Sequence, residues 1–283
     1  MEAGCLFAAL SRRAAAIRLE GHHRQVEPWE ADALDAVRDG LTLTAFAAYA
    51  EHGRLHTDET VEALGERLVA DYLVQRDSAA DPRQVLILAR TRAQVDRLNH
   101  LVRSRLLAEG HLSSTSMRVE TDRGAVDFRT RDEIIVTRNL YGEGVFNGTR
   151  ATVTNMGFDA VTITTGEGRR VELHRTLIAQ DVLDHGYAHT IHKAQGLTVE
   201  RALLWADPGL YREAGYVGLS RAREVTHVYL APTFEPADDL DCGVSRYEHN
   251  VCGASEAVLQ LDRTHRHRLA LEQLPRAHIS RAV

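Results

Sequence analysis

The chain has 283 residues, of which 44% are apolar and 26% charged, enough to bury a sizeable core as one large or two modest domains. Its net charge of −6 argues against a protein that coats duplex nucleic acid along its whole surface, though not against a local basic groove. No apolar run approaches a membrane span, the start lacks a secretory pattern, and three scattered cysteines (Cys5, Cys242, Cys252) suit a reducing, cytoplasmic setting.

In chain order, residues 1–16 read as a helix and Ala16–Leu19 as a short strand. Pro28 is placed as a first-turn helix residue, and the helix continues through Ala31–Val37 to a stop at Gly40. Residues 42–51 and 60–75 also read as helices, the second starting at a capping Asp58-Glu59-Thr60. Val85–Ala89 is a continuous apolar run, the pattern of a buried parallel strand, and a helix follows over 92–107. The character then changes. Ser116–Glu120, Glu133–Arg138, Thr149–Asn155, Val161–Thr165 and Arg170–Leu173 are rich in Val, Ile and Thr, with a hairpin turn at Gly166-Glu167-Gly168. Five short strands in so few residues predict a small β-barrel. Helix and strand alternation resumes near Tyr187, with strands at Ala202–Ala206 and Val225–Ala231 around a helix over Tyr211–Ala222. An acidic linker at Pro232–Asp241 and a helix over 254–273 end the chain. The expected fold class is therefore α/β, a parallel sheet with flanking helices interrupted by a β insert.

Lys193 is the only lysine among 34 basic residues. A P-loop, G-x-x-x-x-G-K-[ST], needs a lysine for the β and γ phosphates, and Lys193 does not stand in one. It stands in Thr190-Ile191-His192-Lys193-Ala194-Gln195-Gly196, followed by Tyr216-Val217-Gly218-Leu219-Ser220-Arg221-Ala222-Arg223. These blocks resemble motifs V and VI of superfamily 1 helicases. The likeness is closest to the helicase part of TraI/TrwC/TraA-type conjugative relaxases, of the RecD-like 5′-to-3′ branch. Arg131–Ile135 through Gly144–Thr149 resembles that family's entry into an SH3-like insert, and Leu19–Gln25 the segment whose arginine reaches the nucleotide.

The resemblance implies the second RecA-like motor lobe, with residues 1–113 and 185–232 forming the lobe, 114–184 the SH3-like insert and 233–283 a linker and helix. It implies phosphate-facing roles for Arg221 and Arg24, since a planar, permanently charged fork suits a transferring phosphoryl group. Gln195, Gly196 and Gly218 are implied on the nucleotide side. Thr190, His192 and Lys193, with Asn147 of the insert, are implied as single-stranded DNA contacts; hydroxyl, imidazole and ammonium donate to phosphate without reading a base. The cofactor implied is ATP with Mg, held only if a first lobe is supplied by another chain, because the phosphate cradle and its acidic metal site are absent from this sequence. Met1-Glu2-Ala3-Gly4-Cys5-Leu6-Phe7 resembles the stretch just after that family's motif III.

Three expectations follow. The chain is a helicase-lobe fragment inactive as an ATPase alone. Or it is a split motor completed by a P-loop-bearing lobe or relaxase chain. Or it is a non-enzymatic module binding single-stranded DNA or a partner. None involves a membrane. His185, His189 and His192 fall at i, i+4 and i+7, a helical face that suggests zinc; the motif V resemblance accounts for His192 without a metal. Tyr141 and Phe146 are read as packing aromatics or base-stacking ones, and Phe146-Asn147-Gly148 as a turn or a DNA contact.

Overall fold

The computed structural model describes residues 24–232. The expected helix over 1–16, the strand at 16–19, most of the linker and the final helix lie outside the described residues, as do the three cysteines. The chain divides into two compact units. Among described residues the first holds 24–64, 195–198 and 204–232, and the second 65–194 and 199–203.

In the first unit, α1 (Pro28–Asp39) begins on a proline, whose missing N–H is one of the unpaired helix-start donors anyway. It ends at Gly40, whose φ of +87° lets Gly40 and Leu41 donate back to Val37 and Ala36. Helix α2 (Thr42–Glu51) packs on α1, and Leu34, Val37, Phe46 and Tyr49 fill the space between them and their sheet. Strand β1 (Leu55–His56) pairs in parallel with β12 (Ala222–Leu230). Glu30, almost fully buried, accepts from Tyr49 Oη at 3.1 Å and Arg54 at 3.2 Å. Burial pushes its carboxyl upward, against the pull of Thr226 and Arg54.

Helix α3 (Val61–Ser78) starts with Thr60 Oγ1 accepting from Ala63 N–H at 3.1 Å, the cap expected there. In the second unit, β2 (Val85–Ala89) is buried at every residue and lies parallel to β10 (Ala188–Thr190). Helix α4 (Arg92–Ala108) opens with a reciprocal capping box between Thr91 and Gln94 and buries Val95, Leu98, Val102 and Leu106. Between α4 and β10 the chain turns antiparallel. Strands β3 (Ser116–Thr121) and β4 (Gly124–Arg129) form a hairpin. Strands β5 (Glu133–Val136), β6 (Arg150–Met156), β7 (Ala160–Thr165), β8 (Arg170–His174) and β9 (Leu183–His185) make one sheet in the order β8-β7-β6-β5-β9. A one-turn helix, α5 (Arg175–Ile178), lies between β8 and β9. Phe128, Ile134, Val153, Ile163 and Leu173 form the core of this part. Strand β11 (Val199–Ala206) passes from the second unit into the first, where α6 (Arg212–Leu219) precedes β12.

Several boundaries differ from the sequence reading. The helix expected to reach Ala222 ends at Leu219, and Ala222 already opens β12. Strand β4 was not expected, because its first residues are exposed and carry no apolar run. His185 and His189 lie on β9 and β10 and His192 in the turn beyond, so the three share no helical face. No group of three or more metal-ligating side chains occurs among the described residues.

Asp132 and Glu133, at the start of β5, are 0% and 2% exposed. Arg103 of α4 grips Asp132 with two bonds, at 2.9 and 3.0 Å, and also donates to Asp127. Tyr187 Oη donates to Asp132 at 2.8 Å and accepts the Glu133 N–H at 3.1 Å. Arg76 donates to Glu133 at 3.0 Å, and Arg150 lies 3.6 Å from it while bonding the carbonyls of Val85 and Gly186. Burial pushes the Tyr72 and Tyr187 hydroxyls well above the usual range, so both remain donors. Removing one member of such a buried pair strands the other charge, which costs about 3–5 kcal/mol. Arg103→Ala is therefore expected to lower unfolding free energy by about that amount in urea titrations. A loss below about 1 kcal/mol would show that solvent reaches Asp132 and satisfies it.

His189 is 3% exposed, and neither ring nitrogen makes a well-formed hydrogen bond, although the Gly186 backbone lies near enough to act on the ring. Burial, with Arg150 and Lys193 nearby, pulls its pKa from 6.5 down to about 3. The unfolded chain thus takes up a proton at this residue below pH 6.5 that the folded chain refuses until about pH 3. The stability owed to neutral His189 is present above pH 6.5 and is lost as pH falls toward 3. His189→Asn is expected to flatten the fall in unfolding free energy between about pH 6 and 4, by up to about 1.4 kcal/mol per pH unit. Equal slopes in the two proteins would place a proton on the folded-state ring.

Candidate nucleic-acid and nucleotide sites

Parallel pairing of β2 with β10 sets Thr190 beside Ala89, so the loops leaving both strands emerge at one edge of the sheet. That edge, at the carboxyl ends of parallel strands, is where open α/β sheets bind ligands. Thr91 and Arg92 follow β2, and Ile191–Gln195 follow β10. The turn after β10 is pinned from within. Ile191 N–H donates to Ala89 O at 2.9 Å, Lys193 N–H to Thr190 Oγ1 at 3.2 Å and Ala194 N–H to Thr190 O at 3.0 Å. Ile191 and Ala194 are buried, which turns His192 and Lys193 outward.

A cleft opens beside this turn, lined among others by Thr190, Lys193, Arg92, Asp96, His189 and Asp184. Asn99 of α4 fixes its rear wall, its side-chain oxygen accepting from Ala188 N–H at 2.8 Å. The Asp184 carboxylate receives three cations: Arg92 at 3.0 Å, Arg123 at 3.2 Å and Lys193 at 3.9 Å. Burial and the Asp184 charge push the Asp96 carboxyl upward. Of the sequence-derived strand contacts, Thr190 and Lys193 share this cleft and exposed His192 lies between them in the chain. Asn147 lies elsewhere in the second unit, in an exposed turn where its N–H donates to Asn139 Oδ1 at 2.9 Å. Tyr141 and Phe146 flank that turn, both exposed, their rings edge to face at 6.0 Å. Arg92, Arg123 and Asp184 were not singled out from sequence. Arg92 had a signal, a basic residue at the start of the helix that follows a buried strand; Asp184, and Arg123 bound to it, come to this place only through folding of the insert.

In the first unit, Arg221 is 7% exposed at the end of α6. Its guanidinium donates to Val217 O at 2.8 Å, Leu197 O at 3.3 Å and Ser220 Oγ at 2.7 Å. The Leu197 bond ties it to the turn carrying Gln195 and Gly196, both exposed, with Gly196 at φ +97°. Arg24 donates to Ser220 O at 3.3 Å, placing a second guanidinium beside the first. Burial, and then the neighbouring Arg24 charge, depress the Arg221 pKa. Gly218 packs α6 against β11: a Cβ there would stand 2.9 Å from Leu204 Cδ1. Its role is thus at least partly close packing. The structure brings together Arg24, Arg221 and the Gln195–Leu197 turn, as it brings together Thr190 and Lys193, each group within its own unit.

Comparison with known proteins gives a consistent outcome. The AAA domain family model matches residues 1–60. A probable conjugal transfer protein TraA from Sinorhizobium fredii is 34% identical over 235 residues, 81% of this chain and 20% of that protein. The conjugal transfer protein TraA of Rhizobium radiobacter is likewise 34% identical over 239 residues, with the same coverage. The chain thus spans about a fifth of the length of these relatives. The ATP-dependent DNA helicase Pif1 of Bdellovibrio bacteriovorus is 36% identical over 99 residues, 30% of this chain and 22% of that protein. Among solved structures, Bacteroides Pif1 bound to single-stranded DNA superposes with a TM-score of 0.54 at 17% identity, covering 76% of this chain and 52% of that one. Pif1 from Bacteroides in complex with ADP-AlF3 and single-stranded DNA gives 0.51 at 16% identity, covering 94% and 57%. The chain is a homologue of one segment of the TraA conjugal transfer proteins and of the helicase Pif1, and it carries the RecA-like α/β fold of the Pif1 structures.

Proposed function

We propose that this chain acts as the second motor lobe of a conjugative, RecD-like helicase. In this reading it grips single-stranded DNA through the β2–β10 edge and presents Arg221 and Arg24 to a bound ATP·Mg. The observation that carries the nucleotide half is the side-by-side placement of these two guanidiniums. Two permanently charged guanidinium forks held side by side suit a polyphosphate, whose several oxygens accept from both. The strand half rests on Thr190, His192 and Lys193, whose donors suit phosphate and ignore base identity. Asn147, on the turn of the insert, is assigned a supporting strand contact, and the β3–β9 segment the role of an SH3-like insert over 114–184. Gln195 and Gly196 couple the strand edge to the nucleotide side, since residues 195 and 196 directly follow the Lys193 turn in the chain.

The phosphate cradle is assigned to a first lobe carried by another polypeptide or segment, because this sequence has no P-loop motif. The chain alone is therefore expected to hydrolyse no ATP. A purely strand-binding role, without a motor, is the second reading, favoured by the exposed cations of the cleft.

Purified chain titrated with a fluorescent oligo-dT strand is expected to bind with an affinity that falls as salt rises. Lys193→Ala should weaken binding several-fold and flatten the salt dependence. A folded chain that binds no strand at low salt would overturn the strand assignment. For the nucleotide half, a P-loop lobe from a full-length relative would be added in trans. DNA-stimulated ATP hydrolysis by the mixture is expected to fall by about 10³-fold or more with Arg221→Ala. Hydrolysis unchanged by that substitution would remove Arg221 from the catalytic assignment.

A further inference from the structure

Three cations from three separate parts of the second unit converge on one carboxylate. Arg92 comes from the start of α4, Arg123 from the β3–β4 turn and Lys193 from the turn after β10. All three approach Asp184 Oδ2. Their side chains remain 47%, 35% and 48% exposed, and Asp184 26%. Pairs so open to water are individually weak, so an ordinary structural role does not account for bringing three to one atom.

Asp184 lies in the middle of β9, with its backbone in register with Ile135. Its main chain is fixed by the sheet, while its carboxylate can turn away on a single side-chain torsion. Arg123 has a second anchor, Asp181, at 2.8 Å, so its guanidinium stays in place when Asp184 leaves. Three cations share the one Asp184 oxygen, with Asp181 holding Arg123 and Asp96 lining the same cleft. A phosphate oxygen cluster offers the same planar-fork and point-charge acceptors as a carboxylate, with more of them.

We propose that Arg92, Arg123 and Lys193 form a phosphate-oxyanion subsite, and that Asp184 occupies it in the free protein as an internal stand-in that a strand phosphate must displace. Asp184 is thus a positioning residue: it holds the three cations together before the strand arrives and weakens the grip once it has. A motor that must release each phosphate to step benefits from that competition. The inference rests on the strand-binding reading above and adds Arg92, Arg123 and Asp184 to it.

The test uses the whole chain with two probes, oligo-dT and inorganic pyrophosphate, compared between proteins at matched ionic strength across a salt series. Asp184→Asn keeps the shape and removes the charge. It is expected to tighten oligo-dT binding by about three- to tenfold. Arg123→Ala is expected to weaken it and to lower the slope of log affinity against log salt by about 0.7. Thermal melts of each variant separate these effects from loss of fold. Asp184→Asn that is folded but binds no tighter, or Arg123→Ala with an unchanged slope, overturns the proposal. Pyrophosphate distinguishes the two readings. If oligo-dT does not bind but pyrophosphate does, more tightly to Asp184→Asn, the oxyanion subsite stands and the strand reading fails. If neither probe binds the folded protein, the subsite is refuted as well.

Discussion

The second unit depends on two buried carboxylates, Asp132 and Glu133, and on how their charges are met. Left unpaired, either would cost several kcal/mol. Each is instead surrounded by donors from elements distant in sequence: Arg76 from α3, Arg103 from α4, Arg150 from β6 and Tyr187 from the approach to β10. The consequence is geometric. Satisfying both charges fixes where the insert leaves α4 and where it returns to the parallel sheet. Tyr187 carries the second of these constraints, since one hydroxyl serves both Asp132 and the Glu133 amide. Gly186 beside it packs so closely that a Cβ would stand 2.8 Å from the Ile134 carbonyl carbon. Asp184 and Thr190 lie on either side of this two-residue junction, so the network that holds the fold also sets the shape of the cleft.

The elements legible in the sequence were those whose signal is local. The run Val85–Ala89 is apolar throughout and forms a strand buried at every residue. Gly40 and Thr60 act as the stop and start that their chemistry suggests. Elements defined by tertiary pairing were not legible. β9 and β10 have three residues each and carry polar side chains, and nothing in Leu183–Thr190 shows that an antiparallel strand ends and a parallel one begins. That is also why three histidines at helical spacing share no face: His185 and His189 lie on strands and His192 in the turn beyond. At α6 the error had another source. Apolar periodicity continues past Leu219, yet Arg221 turns its guanidinium back onto Val217 O and Leu197 O, and the chain leaves the helix to enter β12.

The candidate sites followed the same division. Thr190, Lys193, Arg24 and Arg221 were named from two contiguous motifs and one short segment; Thr190 and Lys193 lie together in the second unit, while Gln195 and Gly196 of the same motif belong to the first, with Arg24 and Arg221. Their partners were invisible because they come from elsewhere: Asn99 on α4, Arg123 on the β3–β4 turn, Asp184 on β9. Asp132 and Glu133 illustrate the converse. An acidic pair ahead of an apolar strand has the look of a metal site in sequence, but both carboxylates are taken by arginines and tyrosine.

Charge in this protein is therefore used in two opposite ways, distinguished by burial. Asp132 meets its guanidinium with no exposure, and the pair is expected to exchange only when the unit unfolds. Asp184 meets three cations at the surface, where water weakens each contact and the carboxylate is replaceable. Buried His189 is held neutral, lines the cleft and adds no positive charge to it. The affinity of that cleft for an anion is then set by its exposed cations and by the acid they share, Asp184, with Asp96 beside it. A site built to hold phosphate permanently would leave out that acid; one built to hold and release it would retain it.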